Sequence, residues 1–160
     1  MEEIPLVKLV PMQPSDLESY LAVAVQEYAR DKIHAGNYTA SEGLEKARAE
    51  FDALLPKGIE TPKQHLFSIL NKEAEKVGII WLAEIQSGAQ RFAFIYDIRI
   101  YEQYRRKGFG TQAMLAVEEQ AKALGLDRIA LHVFGHNKAA QELYEKIGYE
   151  ITNINMSKKI

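Results

Sequence analysis

The chain has 160 residues, 47% hydrophobic and 26% charged, with a formal net charge of −2. That length and balance suit one folded domain over 1–160 with one core, and exclude a disordered chain. The near-neutral charge argues against a nucleic-acid coat, and the absence of cysteine excludes disulfides, thiolate-bound metal and a covalent cysteine intermediate.

The N-terminal MEEIPLVKLV is acidic and too short of apolar residues for a signal peptide. The longest apolar run, VGIIWLAEI, is too short to span a bilayer. The expectation is a cytoplasmic protein with no membrane partner. Of the four histidines (His34, His65, His132 and His136), only the last two are close, and two ligands make an incomplete metal site.

Leu6 to Val10 reads as a short strand. Ser15 with Glu18 predicts a capping box, and Leu17, Tyr20, Leu21, Ala24 and Tyr28 follow at helical spacing. A second helix fits Ser41 to Leu55, stopped by Pro56 and Gly58. Strands are predicted over His65 to Leu70, Val77 to Ile85 and Arg91 to Glu102, joined by the polar turns NKEAEK and SGAQ. Tight connections make them an antiparallel meander. In the third strand strict alternation puts Phe94, Tyr96 and Ile98 on one face, and Ile95, Asp97 and Arg99 on the other. The last third alternates. A helix over Thr111 to Leu124 is closed by Gly125, and a strand runs from Arg128 to Phe134. A helix capped by Asn137 ends near Ile147, and a final strand covers Tyr149 to Lys159 with a change of phase between Ile151 and Ile154. The order β-α-α-β-β-β-α-β-α-β gives an α/β chain of the α+β kind, a mixed sheet carrying helices.

Between the third strand and its helix stands RRKGFG. Gly108 and Gly110 permit positive φ and close backbone approach. A helix N-terminus offers unpaired N–H groups and partial positive charge, and Arg105, Arg106 and Lys107 add formal charge. These are the parts of a pyrophosphate cradle; an ordinary turn with solvated cations is the plainer reading. With Ala113 the stretch also fits G-x-G-x-x-A, but a meander precedes it and no acidic residue ends the next strand.

Arg105-Arg106-Lys107-Gly108-Phe109-Gly110 resembles the R/Q-x-x-G-x-G/A motif of the GNAT N-acetyltransferases, and Asn137 to Tyr149 is similar to that family's N-x-x-A-x-x-L-Y-x-x-x-G-F/Y. The two motifs stand in the family's order. The whole chain further resembles a group of uncharacterised bacterial members sharing an F-I-Y-D strand and an L-H-V-F-x-H-N segment. The resemblance implies the GNAT fold, a mostly antiparallel sheet of about six to seven strands with about four helices. It implies acetyl-CoA as co-substrate, with no metal, and acetyl transfer to a primary amine by direct attack in a ternary complex. The pyrophosphate would meet backbone N–H groups from Arg106 through Gly108, Phe109 and Gly110 to Thr111. The pantetheine arm would pair with the strand end at Ile98, Arg99 and Ile100, and meet Asn137, Ala140 and Tyr144.

Amine acetylation needs a base for the amine, a donor for the carbonyl oxygen and protonation of the leaving thiolate. Tyr144, seven residues and about two helical turns after Asn137, is the candidate acid, unless it is simply a core aromatic. His132 interrupts an apolar strand and has an intrinsic pKa near 6.5, which makes it a candidate base. Asp97 and Glu84 are rivals, Asp97 also as an anchor for the amine. Tyr28, His34, Tyr38, Trp81 and Tyr96 are candidate wall residues of an acceptor site that the sequence does not identify. A non-catalytic acyl-CoA sensor and a nucleotide-binding module remain as other readings. The oligomeric state stays open, and the resemblance admits a homodimer.

Overall fold

The computed structural model describes residues 6–160. Five strands form one sheet in the order β1-β2-β3-β4-β5: β1 (Lys8–Pro11), β2 (Gln64–Leu70), β3 (Lys76–Ser87), β4 (Gln90–Ile100) and β5 (Ile129–Leu131). The first four are antiparallel neighbours; β5 joins β4 in parallel, reached through a crossover helix as parallel pairing requires. Four α-helices accompany it: α1 (Pro14–His34), α2 (Gly43–Leu54), α3 (Phe109–Ala123) and α4 (Lys138–Lys146).

β3 is buried at every position from Val77 to Ala83, because both faces are covered. On one face Ile69, Ile80, Leu82 and Ile95 pack with Ala113, Met114 and Val117 of α3. On the other, Ile79 and Trp81 pack with Leu17, Tyr20 and Ala24 of α1. The indole N–H of Trp81 donates to Gln64 Oε1 at 2.7 Å and the side chain is almost wholly buried. Trp81 is therefore core, not the acceptor wall that its type suggested.

Three expectations change. α1 starts at Pro14 with Gln13 as N-cap, not Ser15. Proline suits the first helical position because its missing N–H would be unpaired there anyway, and Asp16 Oδ2 accepts the Gln13 N–H at 3.2 Å. β5 has three residues rather than seven, so His132 and Phe134 lie in the loop beyond it. The predicted strand Tyr149 to Lys159 is absent: the chain from Glu150 onward is exposed and carries no regular structure, leaving five strands rather than six or seven. Strand propensity is realised only beside a partner edge. The cap of α4 directs the chain elsewhere. There Tyr149 N–H bonds the Tyr144 carbonyl and Gly148 N–H that of Glu145, with Gly148 at φ +105, a Schellman arrangement that glycine makes strain-free.

Candidate active site

The strand pair β4–β5 is in register only from Ala93–Ile129 to Ile95–Leu131. Beyond Ile95, β4 continues to Ile100 with no strand of the described residues paired on its β5 side, so the two strands part and leave a cleft. The cause is a bulge. Leu82 pairs with Ile95 but Trp81 pairs with Asp97, so Tyr96 is an extra residue in β4. A bulge bends its strand and reverses the facing of everything after it. Ile95, Ile98 and Ile100 therefore all pack on the α3 side, whereas Tyr96 packs on the α1 side and Asp97 reaches Tyr20 of α1. This corrects the strict alternation expected from sequence, which set Ile98 opposite Ile95.

The bulge also orients the backbone. Tyr101 N–H bonds Val77 of β3 at 2.9 Å, so Ile98 and Ile100, three residues and one residue before it, turn their own polar groups toward the cleft. The Ile100 carbonyl accepts Arg105 Nε at 2.8 Å. That contact folds the loop back over the strand end, which leaves Ile98 as the strand's free backbone donor and acceptor there.

The loop leads straight into α3. Arg106 (φ +65) and Gly108 (φ +85) are both left-handed, a sequence of turns that lines up backbone N–H groups as an anion-binding concavity. Gly108 is the N-cap of α3. No side chain caps this helix and no acidic residue sits in its first turn, so the N–H groups of Phe109, Gly110 and Thr111 have no intrahelical partner. A β-carbon at Gly108 would project into open space, meeting nothing within 4 Å. Gly110 lies against Leu143 of α4 and Ile100 of β4, which join the loop to the walls of the cleft. Arg105, Arg106 and Lys107 are exposed beside it, and the Lys107 ammonium sits 5.9 Å from the Tyr104 ring centre. An uncapped, acid-free N-terminus with flanking cations fits a phosphate group.

On the α1 side of the cleft is a network that spacing alone did not reveal. Tyr20 Oη donates to Asp97 Oδ2 at 2.7 Å, and Arg99 donates to the same oxygen at 3.4 Å and to Glu27 of α1. Asp97 Oδ1 has no partner among the described residues. Burial, then the Asp97 charge, hold the Tyr20 hydroxyl far above its ordinary range, so it stays a donor. Glu84, the other carboxylate considered, pairs instead with His65 Nε2 at 2.8 Å, three positions along β3 from the Asp97 partner Trp81.

α4 closes the cleft. Asn137 caps it by accepting Ala140 N–H at 3.3 Å, so its amide oxygen is engaged and its amide nitrogen remains. Tyr144 is half-buried and packs on the α3-side core and on Tyr149, with ring centres 6.0 Å apart. Burial and then the charge of Asp97 push the Tyr144 phenol up to about 12. His132 lies at the exposed rim, edge-on to Phe134 with centroids 4.9 Å apart. Desolvation and then the Lys32 charge hold its pKa below the ordinary 6.5. Four contacts fix its loop, none predicted. Gln141 donates to the carbonyls of Phe134 and Gly135, His136 Nε2 lies 2.9 Å from Asp31 Oδ1, and Phe134 packs on Tyr28.

The other suggested wall residues are engaged elsewhere. Tyr28 and Tyr38 both donate to Glu50, and the Lys32 ammonium sits near both rings. Tyr96 packs on Trp81, and His34 packs on His136. Among the described residues no three His, Asp or Glu side chains converge as metal ligands, and no helix is long and apolar enough to cross a membrane.

Known proteins are similar to this chain in sequence and fold. The uncharacterized N-acetyltransferase YycN of Bacillus subtilis (strain 168) is 39% identical over 154 residues, spanning 96% of this chain and 99% of its own. A second uncharacterized N-acetyltransferase of that organism, YdgE, is 36% identical over 95% of this chain and 97% of its own. The crystal structure of YycN superposes with a TM-score of 0.91, covering 96% of this chain and 98% of that one. A profile of the acetyltransferase (GNAT) family matches residues 24–149. The chain belongs to the GNAT acetyltransferase family, and acetyl transfer is its chemistry.

Proposed function

We propose that the protein transfers acetyl from acetyl-CoA to a primary amine by direct attack within a ternary complex. The observation that carries this reading is the junction of two features. An uncapped, acid-free N-terminus of α3 behind Gly108 lies at the mouth of a cleft opened by the Tyr96 bulge. Acetyl-CoA supplies an activated thioester, anionic phosphates and an arm rich in amides. Phosphate suits the N–H groups from Arg106 to Thr111 with the flanking Arg105, Arg106 and Lys107. The arm suits the free carbonyl of Ile98, the amide nitrogen of Asn137 and the surface of Ala140. The Arg99 side chain joins Glu27 and Asp97 on the α1 side of the cleft and its backbone pairs with Ile79 of β3, so the strand end meets the arm through Ile98 rather than Arg99.

The side chains divide the proton work. Tyr144 keeps its proton across the neutral range, since its phenol stands at about 12. It donates a hydrogen bond to the departing thiolate, and the cleft replaces water around that charge. Asp97 is held through Oδ2 by Tyr20 and Arg99, so Oδ1 is free to accept an N–H of the amine and orient it. His132, depressed below 6.5 and therefore neutral at pH 7, accepts the amine proton directly or through water. The Ile98 N–H is the donor for the carbonyl oxygen.

Calorimetric titration with acetyl-CoA, beside CoA, NAD and ATP, tests the first half. Saturable binding of acetyl-CoA and CoA alone is expected; binding of NAD or ATP instead would overturn the reading. An amine panel read by thiol release tests the second half. Binding without turnover on any amine would favour an acyl-CoA sensor, and parallel initial-rate plots would exclude direct attack.

A further inference from the structure

We infer that the amine acceptor carries a carboxylate several carbons from its reacting nitrogen, and that Lys32 of α1 receives that carboxylate. This rests on the amine-acetylation reading above and names its substrate class. Several charged groups near the cleft rim are already matched. Asp31 meets His136, Glu27 meets Arg99 and Lys46 meets Glu42. Glu50 is held through both oxygens by the hydroxyls of Tyr28 and Tyr38. The Lys32 ammonium is not matched. Among the described residues it makes no hydrogen bond and no ion pair, and its neighbours are two aromatic rings.

That ammonium is held in place without being used. It lies 5.5 Å from the centre of the Tyr28 ring and 5.4 Å from that of Tyr38. Lys32 stands in the last turn of α1, where a cation complements the helix dipole. Its side chain nevertheless folds back one turn onto Tyr28, away from the terminal carbonyls. The rings are fixed by their hydroxyls on Glu50. Burial, then the bond to Glu50, holds the Tyr28 phenol far above its ordinary range, so it stays a donor. Both Glu50 oxygens are thereby occupied. A ring face steadies a cation through its quadrupole and takes none of its N–H groups in an ordinary hydrogen bond. The three donors of the ammonium are left for an incoming anion.

A floor of rings joins this cation to the reacting end. Tyr28 lies 6.3 Å from Phe134, centre to centre, and Phe134 lies 4.9 Å from His132. Tyr28 and Phe134 are both half-buried, so part of each ring is open to a ligand although the Tyr28 hydroxyl is spent on Glu50. An aliphatic chain suits such a floor. Its charged ends suit what stands beyond it: the amine meets His132 and the free Oδ1 of Asp97, and the carboxylate meets Lys32. An α-amino acid holds both charges too close together to span two rings, so the class is an amino acid whose amine ends a side chain or a long chain. In the transfer its nitrogen bonds the acetyl carbon and its proton passes to His132. The C–S bond breaks, and CoA leaves as the thiolate.

Initial rates of thiol release at saturating acetyl-CoA test this on the full chain. The acceptors are aminohexanoate, with amine and carboxylate at opposite ends, and hexylamine, diaminohexane and glycine. Aminohexanoate is expected to exceed hexylamine in kcat/KM by about tenfold or more, the low end for a hydrogen bond to a charged group that is partly exposed, with the difference carried by KM. Lys32→Gln should bring that ratio close to one and Lys32→Arg should keep it. Lys32→Glu should turn the preference toward diaminohexane. Melting temperature checks that each variant is folded. Equal kcat/KM for aminohexanoate and hexylamine, a preference for glycine, or a preference for aminohexanoate that survives Lys32→Gln overturns this inference and leaves transfer to amines standing. Calorimetric binding of acetyl-CoA with no thiol release on any acceptor overturns the reading beneath it as well.

Discussion

Replacing Tyr144 by Phe removes one oxygen and keeps the ring. Among the described residues the Tyr144 hydroxyl makes no hydrogen bond, while the ring packs on the α3-side core and Tyr149. The substitution should therefore leave stability unchanged, and melting temperature is the control. The catalytic effect follows from what the hydroxyl can do. Its pKa of about 12 stands well above the ordinary thiol value of about 8.5, so full transfer of its proton to a departing thiolate runs uphill. The benefit is then that of a hydrogen bond to a charged group, about 1.5–3 kcal/mol. At about 1.4 kcal/mol per decade that is a loss of about 10- to 150-fold in kcat, reaching only the low end of the roughly 10²–10⁴ of a complete general acid. Steady-state thiol release measures kcat, and calorimetry shows whether acetyl-CoA affinity is retained. Unchanged kcat would refute the assignment. An equal loss in binding and kcat would mean that the hydroxyl holds the ground state rather than the leaving group.

Gly108→Ala places an L-residue at φ +85, which costs about 1–2 kcal/mol, and its methyl enters the open space before the α3 N–H groups. Weaker acetyl-CoA binding with a modest fall in melting temperature is expected; full affinity would place the cradle elsewhere. In Gly78→Ala the new β-carbon would stand 2.0 Å from the Arg99 carbonyl oxygen, so β3 and β4 must separate. A loss at or above the roughly 1–3 kcal/mol typical of overpacking is expected by denaturant titration, and wild-type stability would contradict the register. His132 binds its proton less readily in the fold than in the open chain. Its contribution to stability is therefore complete above about pH 6.5 and is lost as pH falls through the lowered folded value. The same group should set an acidic limb of kcat/KM below that pH; an unaltered profile in His132→Gln would remove it from catalysis.

What the sequence shows and what it hides divide by range. The R-R-K-G-F-G turn, the Asn137 cap and the Gly148 stop are local codes. Each satisfies backbone groups within a few residues, and each is found in the structure at its expected place. Tyr20 and Asp97 are separated by 77 positions, and Glu27 and Arg99 by 72. No periodicity links such pairs, because their meeting depends on how α1 crosses the sheet. The expected final strand is missing for a related reason: a strand forms only beside a partner edge, and the pattern within one segment does not supply that edge.

One long-range feature did leave a trace. In FAFIYDIRI the apolar residues Ala93 and Ile95 keep one phase, and Ile98 and Ile100 keep the other. Strict alternation would bury Asp97 and Arg99 beneath the apolar face of α3 and turn Ile98 and Ile100 toward Tyr20 and Glu27. Burying two charges there costs far more than one irregular residue. The chain escapes by inserting Tyr96 as a bulge, which returns the isoleucines to the α3 core and presents the charges to α1. The bulge falls right after Ile95, the last residue of β4 paired with β5. The same extra residue that rescues the core thus parts the two strands, exposes the backbone of Ile98 and turns Asp97 toward Tyr20 beside the opening. A phase slip in the strand before a glycine-rich turn is therefore a signal that sequence can supply: it marks where a sheet must split, and so where a cleft begins.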